Sequence, residues 1–182
     1  MSTKARKGIC YSFILLFFLY FGVVGAYFAL QTAASFRIWE FMIMLSGFIS
    51  LLFLVSVLDD TTHNAYWILS VAFAAASMLT TMMVHFENVL NNTGAATFQT
   101  NDYLAWGVFF GAAYLFAAMT FNKDDKKRKN IRILFIIIGI MCFLGLLGPL
   151  THIDALWFIA VTGYGPVALV LTFTQLKYLR TL

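Results

Sequence analysis

Eleven of the twelve lysines and arginines in this 182-residue chain fall in three short segments, with long apolar stretches between them. The first holds Lys4, Arg6 and Lys7. The second is internal and runs from Lys123 through Lys126, Lys127, Arg128 and Lys129 to Arg132. The third holds Lys177 and Arg180. A water-soluble fold spreads its charges over its whole surface. Here only 11% of residues are charged, against about a quarter in a soluble domain, while 62% are hydrophobic and the mean hydropathy is +0.85. Lipid must therefore solvate much of the surface.

A hydrocarbon layer of about 30 Å needs about 20 apolar residues per helical crossing. Six stretches meet that length, at about 9–34, 38–58, 65–86, 103–121, 131–150 and 155–176. The expected fold is all-α: one transmembrane domain over residues 1–182, built as a bundle of six spans. The first stretch is longer than the apolar region of a signal peptide and is read as a retained helix. Basic loops stay on the cytoplasmic side. With six crossings, both termini and the basic loop share that side, and Arg37 is the one exception. The expected location is the bacterial cytoplasmic membrane, with lipids as neighbours. The net charge of +4 is accounted for by topology and anionic headgroups, so nucleic acid is not an expected partner. Cys10 and Cys142 differ in depth by two to three turns and are not expected to pair.

In membranes, helix contacts favour small and weakly polar residues. On the first helix this predicts an inner face at Gly22, Gly25, Ala26, Ala29 and Ala33, and on the second at Glu40, Gly47 and Ser50. Gly107 and Gly111 make a packing pair on the fourth. On the third helix Ser70, Ala74, Ser77, Thr81, His85 and Asn88 recur at intervals of three and four, which is one continuous face. It is expected to point at neighbours or at a cavity. In the sixth helix the run Gly163-Tyr164-Gly165-Pro166 predicts a kink or break at mid-depth, because Pro removes a backbone donor and crowds the preceding turn. Broken helices form binding sites in many transporters.

Glu40 lies a turn inside its helix, where a carboxylate needs a partner, and Arg37 at i−3 is the expected one. His85, Glu87, Asp102, His152 and Asp154 fall at the same, outer, level. His and carboxylate side chains can ligate zinc, so these five form the candidate set of an alternative reading, a metal-dependent hydrolase in the membrane. No HxxxH or HExxH spacing supports it. The stretch 86–102 is the longest outer connection, in which Phe86, Val89, Leu90 and Phe98 could form a lid, and Asn91-Asn92-Thr93 is a glycosylation triplet.

The helix ending "VHFENVL", the stretch "DYLAWGVFFGAAYLFAAMTF", the basic loop and "IRILFIIIGIMCFLGLLG" resemble a group of small bacterial polytopic membrane proteins of unknown function. The likeness spans residues 67–148. It implies the six-span layout and no particular activity. The expectation is a protein without cofactor that binds or translocates a small or amphiphilic molecule. Its cavity would open outward and be walled by Glu40, Ser77, Thr81, His85, Trp106 and Tyr164. A third reading is a structural or accessory subunit that assembles with itself or with another membrane protein.

Overall fold

Once backbone amides leave water they must bond within their own segment, and the apolar stretches accordingly become helices. The computed structural model describes residues 1–91 and 101–182, apart from the side chains of Asn91 and Asp154. Its elements are α1 (Thr3–Leu30), α2 (Ala33–Leu58), α3 (Ala65–Asn91), α4 (Tyr103–Met119), α5 (Lys129–Thr151) and α6 (Ala155–Leu179). Five of them are long and apolar enough to cross a membrane, and α4 is a shorter apolar helix. The chain is all-helical among the described residues, and these helices make it a membrane protein.

The first two helices meet earlier than the hydropathy pattern predicts. α1 stops at Leu30 because Gln31 adopts a left-handed conformation, φ 48°, and its N–H caps the Tyr27 carbonyl at 2.9 Å. Thr32 then opens α2 through a reciprocal cap with Ser35, at 3.1 and 3.0 Å. At the start of α3, Asn64 Oδ1 accepts from the Trp67 N–H at 3.1 Å.

Each helix packs on the next, and α6 closes the ring against α1. The small residues of α4, α5 and α6 allow close approach. A Cβ on Gly145 would come within 2.5 Å of the Ala160 Cβ, and one on Gly107 within 2.4 Å of Leu146 Cδ2. Gly107 and Gly111 thus serve α4–α5 packing. The small face expected on α1 behaves differently. Gly22, Gly25, Ala26 and Ala29 are exposed, and a Cβ on either glycine would meet nothing within 4 Å. α1 instead turns Cys10, Phe13 and Leu16 inward, because its bulky residues fill the space beside α2, where the Phe13 ring packs at a tilt on Phe53, 4.9 Å between centroids.

Contacts between charged groups gather the basic segments at one end. Arg6 is almost fully buried and pairs with Asp60 in the α2–α3 connection. The N-terminal ammonium reaches Asp59 beside it. Arg128 donates to the Asp60 carbonyl at 2.9 Å and to Asp125 at 2.6 Å, and it lies over the rings of Phe121 and Tyr178. The hydrogen bond from Arg128 holds the Asp125 carboxyl below its ordinary range. That stabilisation is present above the ordinary carboxylate range and is lost as pH falls through the depressed pKa.

The sixth helix does not break at Gly163-Tyr164-Gly165-Pro166. Residues Gly163–Val167 form a π turn. Pro166 has no N–H to give, and a wider turn accommodates its ring without ending the helix. Residues Tyr103–Phe109 of α4 form a second π turn.

Two outcomes are expected in thermal unfolding of the detergent-solubilised protein. Gly145→Val destabilises by about 1–3 kcal/mol through overpacking, while Gly22→Ala is neutral or slightly stabilising. Asp60→Ala strands the buried Arg6 and costs about 2 kcal/mol, after allowance for the partial exposure of Asp60. The double change Arg6→Met/Asp60→Ala recovers part of that loss. A double variant weaker than Asp60→Ala alone would show that Arg6 is satisfied by something other than Asp60.

Candidate functional site

The opposite end of the bundle holds a chain of three ionisable side chains drawn from three helices. His85, on the last turns of α3, is completely buried. Its Nδ1 lies 2.8 Å from Glu40 Oε2 on α2, and its Nε2 lies 3.2 Å from Asp102 Oδ1 at the entry to α4. Asn88, one turn beyond His85, donates to the same Glu40 oxygen at 3.2 Å. Glu40 is 1% exposed. The expected Arg37–Glu40 pair therefore gives way to a Glu40–His85 pair. Arg37 is exposed, whereas Glu40 faces the interior, where only a group on another helix can reach it.

The polar stripe on α3 is buried along its length, from Ser70 to Asn88. It holds helices together. Ser70 donates across to the Ala113 carbonyl of α4 at 2.8 Å. A Cβ on Gly47 of α2 would touch the Thr81 methyl at 3.6 Å. The Thr81 hydroxyl has no hydrogen-bond partner among the described residues.

Beside this polar chain lies a cavity of about 430 Å³. It lies where α1, which packs most closely on the Ala168–Leu179 stretch of α6, draws away from the preceding part of that helix. In their other halves the two helices face each other across the gap, α1 through Phe17, Tyr20 and Val24 and α6 through Val161, Tyr164 and Pro166. α2 contributes Trp39, Ser46 and Ser50, and α4 contributes Trp106. The rim side chains Phe21, Phe28 and Phe158 are more than half exposed. More than half of the lining side chains are aromatic, against 18% of the whole chain. On one wall Trp39 Nε1 donates to Tyr20 Oη at 3.3 Å. On the other, Trp106 and Tyr164 bring the two π turns together, ring centroid to centroid at 4.9 Å. Among the described residues the lining contains one charged side chain, that of Asp102.

Of the residues expected to wall the cavity, Trp106 and Tyr164 do so. Ser77, Thr81 and His85 lie behind the lining, because α3 packs between α2 and α4 and does not reach the gap left by α1 and α6, and Glu40 of α2 turns from the gap toward His85. Asp102, placed by the sequence in the candidate metal set, connects the two features, since it both lines the cavity and contacts His85. Of the other members of that set, Glu87 is exposed. His152 is also exposed and caps the helical turn Leu147–Thr151 with φ 57°. The Asp154 side chain lies outside the described ones, as do Asn92, Thr93 and Phe98 of the outer connection. Among the described residues no three His, Cys, Asp or Glu side chains are grouped to hold a metal ion. Tyr20, Trp39 and Ser46 are not among the site residues expected from the sequence, because their role follows from which helices stand apart.

The chain matches no protein-family model, no curated protein and no solved structure.

A double-mutant cycle tests the buried chain. Glu40→Ala and His85→Ala each leave an ionisable partner buried and destabilise by about 3 kcal/mol. The pair is expected to be non-additive, with a coupling of about 1–3 kcal/mol in chemical unfolding. Additivity would mean that the two groups are satisfied separately.

Proposed function

We propose that the protein crosses the bacterial cytoplasmic membrane six times, with both termini inside, and binds or translocates a small amphiphilic molecule in the cavity between α1, α2, α4 and α6. The topology rests on charge. Lys and Arg next to spans favour the cytoplasmic side, and all three basic segments meet at one end of the bundle. The end that holds Glu40, His85 and Asp102 then faces outward. α4 makes the fourth of the six crossings at its shorter length, because local thinning of the bilayer costs only fractions of a kcal/mol per ångström.

The cavity is the observation that carries the reading. A space of about 430 Å³ falls in the range that small ligands occupy, and its wall is apolar with a few convergent polar groups. In a densely packed bundle such a gap is expensive unless something fills it. The exposed phenylalanines at its rim favour entry from the lipid side, as suits a molecule already dissolved in the bilayer. Binding and passage, rather than bond-making, match a lining with one carboxylate and no nucleophile–base pair in view of it.

Two measurements test this. Energy transfer from Trp39, Trp106 and Trp157 to N-phenylnaphthylamine, an uncharged fluorescent amphiphile, should saturate with the wild-type protein in maltoside micelles. Ser50→Phe, which fills the cavity, should weaken that binding about tenfold, while Leu15→Phe on the exposed face of α1 should not. Unsaturable transfer in the wild type would end the binding reading. For topology, Cys10 and Cys142 are buried and silent, so single cysteines can be added. Glu87→Cys should react with an impermeant maleimide in intact spheroplasts, and Lys126→Cys only after lysis. The reverse pattern would invert the orientation.

A further inference from the structure

Two hydrogen bonds of His85 bear on the charge of the groups it joins. Each ring nitrogen is within hydrogen-bond distance of a carboxylate oxygen, and each of those contacts needs one hydrogen. A neutral imidazole carries a single N–H and an ionised carboxylate carries none. The hydrogens can be supplied in two ways. Either His85 is an imidazolium between two carboxylates, or His85 is neutral and one carboxyl is protonated. In both cases the three groups share two hydrogens and their charges sum to −1.

Among the described residues no Lys or Arg stands beside that charge. Asn88 brings a neutral amide. The lining of the cavity contains no Lys or Arg, and Arg37 points to the exterior. The connection 92–100 has no charged residue in its sequence. An uncompensated negative charge in a low-dielectric bundle is costly, and the cost falls when a cation comes within a few ångströms. Asp102 is the member of the group from which a cation can be reached, because its side chain is 17% exposed and lines the cavity.

The rest of the lining is suited to the same charge. Aromatic faces carry negative quadrupolar potential and attract ammonium groups. Tyr20 of α1 and Tyr164 of α6 line the same cavity as Asp102. Trp39 and Trp106 stand beside them, in contact with Tyr20 and Tyr164 respectively. The cavity is far larger than a bare metal ion, and its deeper part, at Phe13, Leu16, Ser46 and Ser50, offers two neutral hydroxyls and no charge. A head with one positive charge and an apolar body satisfies both ends.

We propose that the molecule bound in this cavity is a monocationic amphiphile, an amine or quaternary ammonium on an apolar body, with its cation between Asp102 and the rings of Tyr20, Trp39, Trp106 and Tyr164. This rests on the cavity reading above and adds the charge of the occupant. Neutral amphiphiles fit the same space but leave Asp102 facing apolar surface. Anionic ones add a second negative charge beside it.

The test compares charge at constant shape. Three competitors displace N-phenylnaphthylamine from the full-length protein in neutral maltoside micelles, with concentrations expressed per micellar volume. The first is 4-phenylbutyltrimethylammonium. The second is its carbon isostere, 5,5-dimethylhexylbenzene, and the third is 5-phenylpentanoate. The cation is expected to displace the probe at about tenfold to thirtyfold lower concentration than the isostere, and the carboxylate to be the weakest. Asp102→Asn should bring the cation and the isostere to within about twofold, while Asp102→Glu keeps the preference. The wild-type ratio is informative without any variant. Equal displacement by cation and isostere would overturn the charge assignment and leave the cavity reading intact. Failure of the probe itself to bind saturably would overturn both. A preference that survives in a folded Asp102→Asn protein would also overturn the proposal, since Asp102 would not be the counter-charge.

Discussion

A charged group carried into a bundle that excludes water must find its partner on another part of the chain, and this requirement ties the helices together at both ends. At the basic end Arg6 is buried against Asp60, and Arg128 reaches the same connection from the α4–α5 loop. At the other end His85 spans α2 and the entry to α4 by pairing with Glu40 and Asp102. The two knots use different chemistry. The first matches guanidinium to carboxylate and is partly wetted. The second places one imidazole between two carboxylates and is nearly dry, so its charge cannot cancel within itself.

Between those ends the helices are held by small residues and by shape. Glycines on α4, α5 and α6 bring their backbones close, as at Gly145 against Ala160. α1 lacks such a contact with the first half of α6, and the cavity is the consequence. The two π turns sit on its far wall. Each widens a helix where a large aromatic side chain, Trp106 or Tyr164, projects toward the other. A π turn shifts the register of the side chains that follow it. The broadened turns thus aim rings that a regular helix would direct elsewhere, and Pro166 is the local reason on α6.

Much of the fold was legible because lipid is a demanding solvent. Apolar length alone located the helices to within a few residues at most ends, and the periodic polar stripe from Ser70 to Asn88 announced the most deeply packed face of α3. The errors have particular causes. The small residues of α1 have the composition of a packing face, yet Gly22 and Gly25 look outward. Composition reports that a close approach is allowed, and says nothing of whether a neighbour arrives. Arg37 seemed the natural partner of Glu40 because sequence exposes neighbours at i−3 and hides those on another helix. The Gly-Tyr-Gly-Pro run predicts a kink or break, and the helix continues through it as a π turn, because the rule for proline in an α-helix does not anticipate a turn that widens to admit it.

The sequence by itself determined that the chain is helical, that its helices belong in a membrane, and that its basic segments belong together. Those properties follow from the cost of unbonded backbone and of charge in hydrocarbon, which act on each segment independently. Tertiary structure decided which polar groups meet and where the bundle stays open. It joined Asp102 to His85 and Glu40, and it set the aromatic side chains of four helices around one space with a single carboxylate in its wall. Such arrangements depend on distances between helices, and a distance between helices is a property of the whole packing, which no single segment encodes.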